Sequence, residues 1–212
     1  GASSDDSMLL LKEHASRHAN VMLISERDRG IYDAMNKGVR KARGRYFIHL
    51  NSDDQAIHPE RWQAIAMRLR KQAPLILATP VPIVHEERTL RVLPGRPFSG
   101  LHRRFGYHFP HQGTFFARGL FTRTNGYNTD IGYIADKIFC YQLLDELSDA
   151  QIEYLSESIA IQHAGGISSN SSLTPLKTIW LALKSAHYVR YRNPWIRALL
   201  NPTLKIVNKA RF

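Results

Sequence analysis

Apolar positions along the chain alternate between helical and strand spacing. Residues 7–19 place Met8, Leu9, Leu11 and Ala15 on one stripe, with Ser4 or Asp5 ahead of it as a cap, so a helix is expected there. Residues 21–24 are a short apolar run that reads as a strand. A helix is expected over 33–42, ended by Gly44, and a buried strand over 46–50 leads into Asn51, Ser52, Asp53 and Asp54. Pro59 suits the first turn of a helix reaching about Lys71. Residues 75–79 fit a central strand, and 81–84 with 89–93 fit a hairpin around His85, Glu86, Glu87 and Arg88. A strand over 114–117, a helix over 136–147 and a last strand over 158–162 complete the pattern. This alternation predicts an α/β sandwich with an antiparallel excursion in its middle.

Two stretches break the pattern. Residues 94–111 are rich in Gly, Pro, His, Arg and aromatics without a period, and a loop that long in a compact domain is functional or mobile. Beyond Gly165 and Gly166, residues 176–191 and 195–208 read as two amphipathic helices broken by Asn193 and Pro194. The chain therefore divides into a domain over 1–170 and a helical tail over 171–212.

Charge sharpens the reading of the tail. The net charge is +11, and no acidic residue follows Glu157, whereas Lys177, Lys184, Arg190, Arg192, Arg197, Lys205, Lys209 and Arg211 are all basic. A one-signed segment of this kind seeks a polyanion. Trp180, Leu181, Tyr188, Trp195, Leu199 and Leu204 alternate with those cations, which fits helices lying on an anionic membrane surface at about 1 kcal/mol per basic residue. The competing reading packs the same helices on the domain with their charges in water. No helix-turn-helix, zinc-finger or aromatic-sheet signature supports nucleic acid as a partner. Cys140 is the only cysteine, so no internal disulfide framework exists and a reducing compartment is expected. No apolar run approaches the ~18–20 residues that span a bilayer, and no basic-then-apolar signal opens the chain. A cytoplasmic protein, peripheral on the inner face of the cell membrane, is the expectation.

Asp53 and Asp54 are the first chemical candidates. Paired carboxylates at the end of an apolar strand suit Mg²⁺ or Mn²⁺ bridging two phosphates; the competing reading is an Asx-turn plus a cap for the helix that Pro59 opens. His111 is either a strand cap or a functional imidazole. Asp136, at a helix N-terminus, is at least a cap.

The run SERDRGIYDAMNKG at 25–38, followed by YFIHLNSDD at 46–54, resembles the donor-site segment of family 2 glycosyltransferases of the bacterial cell-surface polysaccharide type. The resemblance covers roughly residues 1–168. It implies a GT-A fold, a Rossmann-like three-layer sandwich with a mixed sheet, here followed by the amphipathic helices. It implies inverting transfer of a sugar from a UDP- or GDP-sugar to a glycan or polyprenyl-phosphate-linked acceptor. Asn51, Ser52 and Asp53 occupy the family's D-x-D position, so a neutral amide stands where its first aspartate would be, and the metal falls to Asp53 with Asp54. Residues 1–5 resemble the D-G-x-S-x-D loop that contacts the nucleotide, without its first aspartate, and the resemblance implies that Asp5, Arg29, Tyr32, Asn36, Asn51 and Asp53 bind the nucleotide-sugar. His111 and Gln112, in HQGTFF, match an element on the acceptor side. Asp136, ending DIGYIAD, matches the catalytic base, and Gly165 to Ser168 match a loop over the donor diphosphate. In the family a strand precedes the loop at 1–5, so this chain is expected to be a fragment. The Q-x-x-R-W element of processive synthases is absent after Gln142, which implies transfer of a single sugar. The alternative is a catalytically inactive glycosyltransferase-like module docking at a membrane, which Asn51 and the missing strand favour.

Overall fold

The computed structural model describes residues 2–3, 5–95 and 109–165. Its elements are α1 (Ser7–Arg17), α2 (Ile31–Lys41), β1 (Tyr46–Phe47), β2 (Asp54–Ala56), α3 (Pro59–Gln72), β3 (Ile76–Ala78), β4 (Val81–His85), β5 (Arg88–Leu93), β6 (Thr114–Ala117), α4 (Arg118–Arg123), α5 (Ala135–Glu146), β7 (Ile152–Tyr154) and β8 (Ala160–His163).

Strand β3 lies inside a sheet of order β1-β6-β3-β7, antiparallel to β6 and parallel to β7. Side chains alternate across a strand, so each face of this sheet needs its own cover. Ile76, Ala78, Phe47 and Phe116 face Met35 and Val39 of α2 and Phe139 and Leu143 of α5. Leu77 and Phe115 face Ile65 and Leu69 of α3. Ile76, Leu77 and Ala78 are all 0% exposed, as a strand covered on both faces requires. The expected three-layer sandwich is thus present. The sheet is split, however: a second one, of order β2-β8-β4-β5, carries the expected hairpin. Its turn consists of Glu86 and Glu87, both at positive φ, because a two-residue hairpin turn needs that handedness.

Rings of Phe47, Phe116, Phe121, Tyr127 and Phe139 meet at centroid separations of 4.8–6.4 Å. Gly126, at φ +75°, lets the chain turn into this cluster; a Cβ there would lie 2.5 Å from the Phe121 ring and 2.7 Å from Asn36 Oδ1.

Several expectations need correction. Residues 21–24 join no sheet among the described residues, and Val21 and Met22 are exposed. An apolar run becomes a strand only beside a partner for its N–H and C=O groups. Helix α1 forms but buries no residue, with Leu9 and Leu10 each 67% exposed. Its N-cap is Asp6, which makes no side-chain capping bond. Helix α2 starts at Ile31, two residues before the expected 33, and β1 stops at Phe47. Elements β2, β7 and α4 escape periodicity because they are too short to show one. Most of the 94–111 stretch and both tail helices lie outside the described residues.

Candidate active site

Strands β1 and β6 are antiparallel, so the residues leaving β1 lie beside those entering β6. His49 N–H donates to the His111 carbonyl at 3.4 Å, which brings the turn at 51–54 against the 3-10 turn His111–Gly113. Asn51 Nδ2 sits 3.1 Å from His111 Nε2. Asp54 braces the turn: Oδ2 accepts the Asn51 N–H at 2.7 Å and Oδ1 accepts Gln112 Nε2 at 3.2 Å. Burial raises the Asp54 pKa above the usual carboxylate value, and those two hydrogen bonds only partly oppose it. Its neighbour Asp53 is exposed at the tip of the turn.

Asp136 approaches from the other side, in the first turn of α5. Its Oδ1 accepts from Tyr32 Oη at 3.0 Å and from the Lys137 N–H at 2.8 Å. Its Oδ2 lies 3.8 Å from His111 Nδ1. Burial first, then the charge of Asp136, pushes the Tyr32 hydroxyl well above its ordinary pKa, so it stays protonated and donates. His49 is also in this neighbourhood. Burial and repulsion from His111 depress its pKa to about 3, so its ring is neutral, and its buried Nε2 meets no hydrogen-bond partner among the described residues.

The 25–38 segment is organised differently. Lys37 Nζ pairs with Asp28 at 2.7 Å, Glu26 at 3.0 Å and Asp33 at 3.3 Å. These partners raise the lysine pKa, with the Asp28 hydrogen bond the largest cause. Asp33 also accepts the Arg29 N–H, which is the main reason its own pKa is lowered. Asn36 is 4% exposed and both ends of its amide are engaged: Nδ2 donates to the Tyr127 carbonyl and Oδ1 accepts the Tyr127 N–H, both at 2.8 Å. The Arg29 side chain is 81% exposed and lies 3.6 Å from Asp33. A cleft of about 460 Å³ opens between Ala2 and Arg27, Asp28, Gly30, Ile31 and Ala34.

The structure therefore brings Tyr32, Asn51, Asp54, His111, Gln112 and Asp136 into one network, with Asp53 at its outer edge. Asn36 lies behind it, holding Tyr127. Asp5 sits at the foot of α1, where Oδ1 accepts the Ser7 N–H at 3.2 Å; hydrogen bonding to the Ser7 side chain first, and then to this N–H, lowers its pKa. The sequence reading missed His49, Tyr127 and the Asp28–Lys37 pair. The alternation of 46–50 carried a signal for His49, whereas nothing local marks Tyr127 as the partner of Asn36.

As to a metal, the described residues contain no group of three His, Cys, Asp or Glu side chains that could hold one. A divalent ion on a diphosphate needs only one or two protein carboxylates, the rest of its shell being phosphate and water oxygens. Exposed Asp53 fits that demand. Asp54 fits it less well, since both of its oxygens already accept hydrogen bonds.

This layered α/β architecture is the GT-A fold. The chain matches S. aureus TarS 1–349 in complex with UDP-GlcNAc at TM-score 0.66 and 13% identity, covering 88% of this chain and 54% of that one. It matches the mannosyltransferase PcManGT from Pyrobaculum calidifontis, in complex with GDP-Man and Mn²⁺, at TM-score 0.59 and 13% identity, over 96% and 57% of the two chains. Residues 1–130 match the family description "Glycosyl transferase family 2", and the chain belongs to that family. A PGL/p-HBAD biosynthesis glycosyltransferase of Mycobacterium bovis (strain BCG / Pasteur 1173P2) is 28% identical over 137 residues, 64% of this chain. The chain spans 52% of the length of that relative. Escherichia coli chondroitin synthase is 44% identical over 52 residues, 24% of this chain and 8% of the synthase.

Proposed function

We propose that the chain carries the catalytic machinery of a metal-dependent, inverting hexosyltransferase. It moves a single sugar from a nucleotide-sugar donor to a hydroxyl of a glycan or lipid-linked acceptor, in surface polysaccharide biosynthesis. The observation that carries this is the Asp136 carboxylate, oriented by Tyr32 and by Lys137 N–H on the same rim as the Asp53 turn.

In this reading Asp136 takes the proton of the acceptor hydroxyl as its oxygen attacks the anomeric carbon. The bond from that carbon to the diphosphate oxygen breaks on the opposite face, and the nucleoside diphosphate leaves with the electron pair. Tyr32 keeps the carboxylate aimed, because its hydroxyl remains a donor through the reaction. Asp53 would hold Mg²⁺ or Mn²⁺, which when bound neutralises charge on the departing diphosphate. The cleft at Ala2 and 27–34 has the volume of a small-molecule site and suits the nucleoside, with Arg29 and Asp5 on the nucleotide side. Asn36 serves that side indirectly, through Tyr127. His111 and Gln112 stand toward the acceptor. The complexes of the two structural neighbours with UDP-GlcNAc and GDP-Man support a nucleoside diphosphate sugar as donor.

The basic segment from Lys177 to Arg211 is proposed to hold the enzyme on an anionic membrane surface on the cytoplasmic side, near lipid-linked acceptors. Vesicle co-sedimentation that weakens as salt rises would support this; binding insensitive to salt and to anionic lipid would not. The activity itself is tested by measuring nucleotide release from UDP- and GDP-sugars, with and without Mn²⁺. Metal-stimulated release from one sugar nucleotide supports the assignment, and no release from any donor, with no nucleotide binding, refutes it.

A further inference from the structure

Three side chains stand in line between the turn at 51–54 and α5. Asn51 Nδ2 is 3.1 Å from His111 Nε2, and His111 Nδ1 is 3.8 Å from Asp136 Oδ2. An amide NH₂ group can only donate, so the ring nitrogen it meets must carry a lone pair, and the proton of a neutral imidazole is then on Nδ1. The other end of the line selects the same state. If the Asn51 amide were turned to offer its oxygen to a neutral ring, Nε2 would hold the proton and the Nδ1 lone pair would face a carboxylate oxygen.

We propose that Asn51 is a positioning residue for Asp136: it locks His111 in the Nδ1–H tautomer and so keeps an N–H on the side of the Asp136 carboxylate. The inference rests on the reading of Asp136 as the base. At 3.8 Å the His111–Asp136 approach is longer than a hydrogen bond, a spacing that catalytic groups commonly shorten when substrate binds. The Nδ1–H then restrains Oδ2, while Tyr32 and Lys137 N–H restrain Oδ1. Among the described residues, the titratable groups around His111 are neutral His49, Asp54 and Asp136.

The neutral amide at 51 thereby gains a reason. An aspartate there would accept from Nε2–H, drawing the proton to the wrong nitrogen or holding the ring as an imidazolium. Asn51 and His111 form a matched pair, and the amide is engaged within the protein instead of reaching toward nucleotide or metal.

The test is long-range ¹H–¹⁵N correlation on histidine-labelled protein at pH 8, with His111 identified by the resonance that His111→Asn removes. In the unaltered chain Nε2 is expected to resonate as the unprotonated nitrogen and Nδ1 as the protonated one. Asn51→Asp should protonate Nε2, and Asn51→Ala, which leaves only the Asp136 carboxylate to bias the ring, should add a measurable population of the Nε2–H form that free imidazole side chains prefer. An unaltered chain with Nε2–H, or a pattern unmoved by both substitutions, overturns the proposal. In turnover, Asn51→Ala is expected to lower kcat about tenfold, the worth of one hydrogen bond, with donor KM little changed. A rise in donor KM at constant kcat would place Asn51 on the nucleotide and overturn the positioning role. The tautomer readout does not depend on activity, so failure of the Asp136 assignment, seen as full turnover in Asp136→Asn, is distinguishable from failure here.

Discussion

The segment 25–38 and the network around Asp136 make an instructive contrast. The first is the most recognisable stretch of the sequence, yet several of its polar groups face one another. Lys37 gathers Glu26, Asp28 and Asp33, and Asn36 clasps the backbone of Tyr127. Such closed sets rigidify the wall of the cleft and leave these particular side chains little for a ligand. The second region has no contiguous motif. It is assembled from single residues of α2, the turn after β1, the turn before β6 and the first turn of α5. Tyr32 joins the two, rooted in the first region and donating to Asp136 in the second. A strong motif therefore marks the scaffold as much as the chemistry.

The contrast breaks most visibly at Asp136. Asp136→Asn keeps the shape and removes the base, so turnover is expected to fall by about 10²–10⁴-fold while thermal stability holds. Equal losses of stability and rate would return Asp136 to the role of a helix cap.

Asn36→Ala should do the reverse. It strands two buried backbone groups of Tyr127, which costs about 2–5 kcal/mol of unfolding free energy, measurable in urea. Turnover per folded molecule should fall far less than in Asp136→Asn, because Asn36 serves the nucleotide side only through Tyr127.

His49 gives the site a pH signature. Its pKa is about 3 when folded, against about 6.5 for an unperturbed histidine, so the unfolded chain binds more protons between those values. Stability is therefore lost as pH falls below about 6.5, by up to about 1.4 kcal/mol per pH unit from this residue. In His49→Phe that component of the slope should vanish between pH 6.5 and 4; an unchanged slope would remove His49 as its source. Asp54 works in the opposite sense: its pKa is raised, so the stability it contributes is lost as pH rises from about 3.8 through its folded value.

The smallest expected effect is at Arg29, whose side chain is 81% exposed. Arg29→Ala should change stability by less than about 0.5 kcal/mol. A raised donor KM in the same variant would place it on the nucleotide side.

How much was legible in the sequence follows the same division. The central strand at 75–79, the hairpin and helices α3 and α5 stand out because each has a clean period or a proline or glycine boundary. The run at 21–24 looked equally strand-like, but pairing is a tertiary property that its residues cannot encode alone. The split into two sheets was hidden because β2 and β7 have three residues each. In the site, Asp53 and Asp54 look equivalent as letters. The structure separates them, since Asp54 turns inward to the Asn51 N–H and Gln112 while Asp53 faces water. The meeting of Tyr32 with Asp136, 104 residues apart, has no local signal at all.

The most direct test of the central claim is calorimetric titration of UDP and GDP, with Mn²⁺, into the unaltered chain and into Asp136→Asn. The account predicts that one nucleotide binds both proteins with the same affinity within about threefold, although only the unaltered chain turns over. Loss of nucleotide binding in Asp136→Asn would contradict it, showing that Asp136 holds the donor or the fold and is not the base.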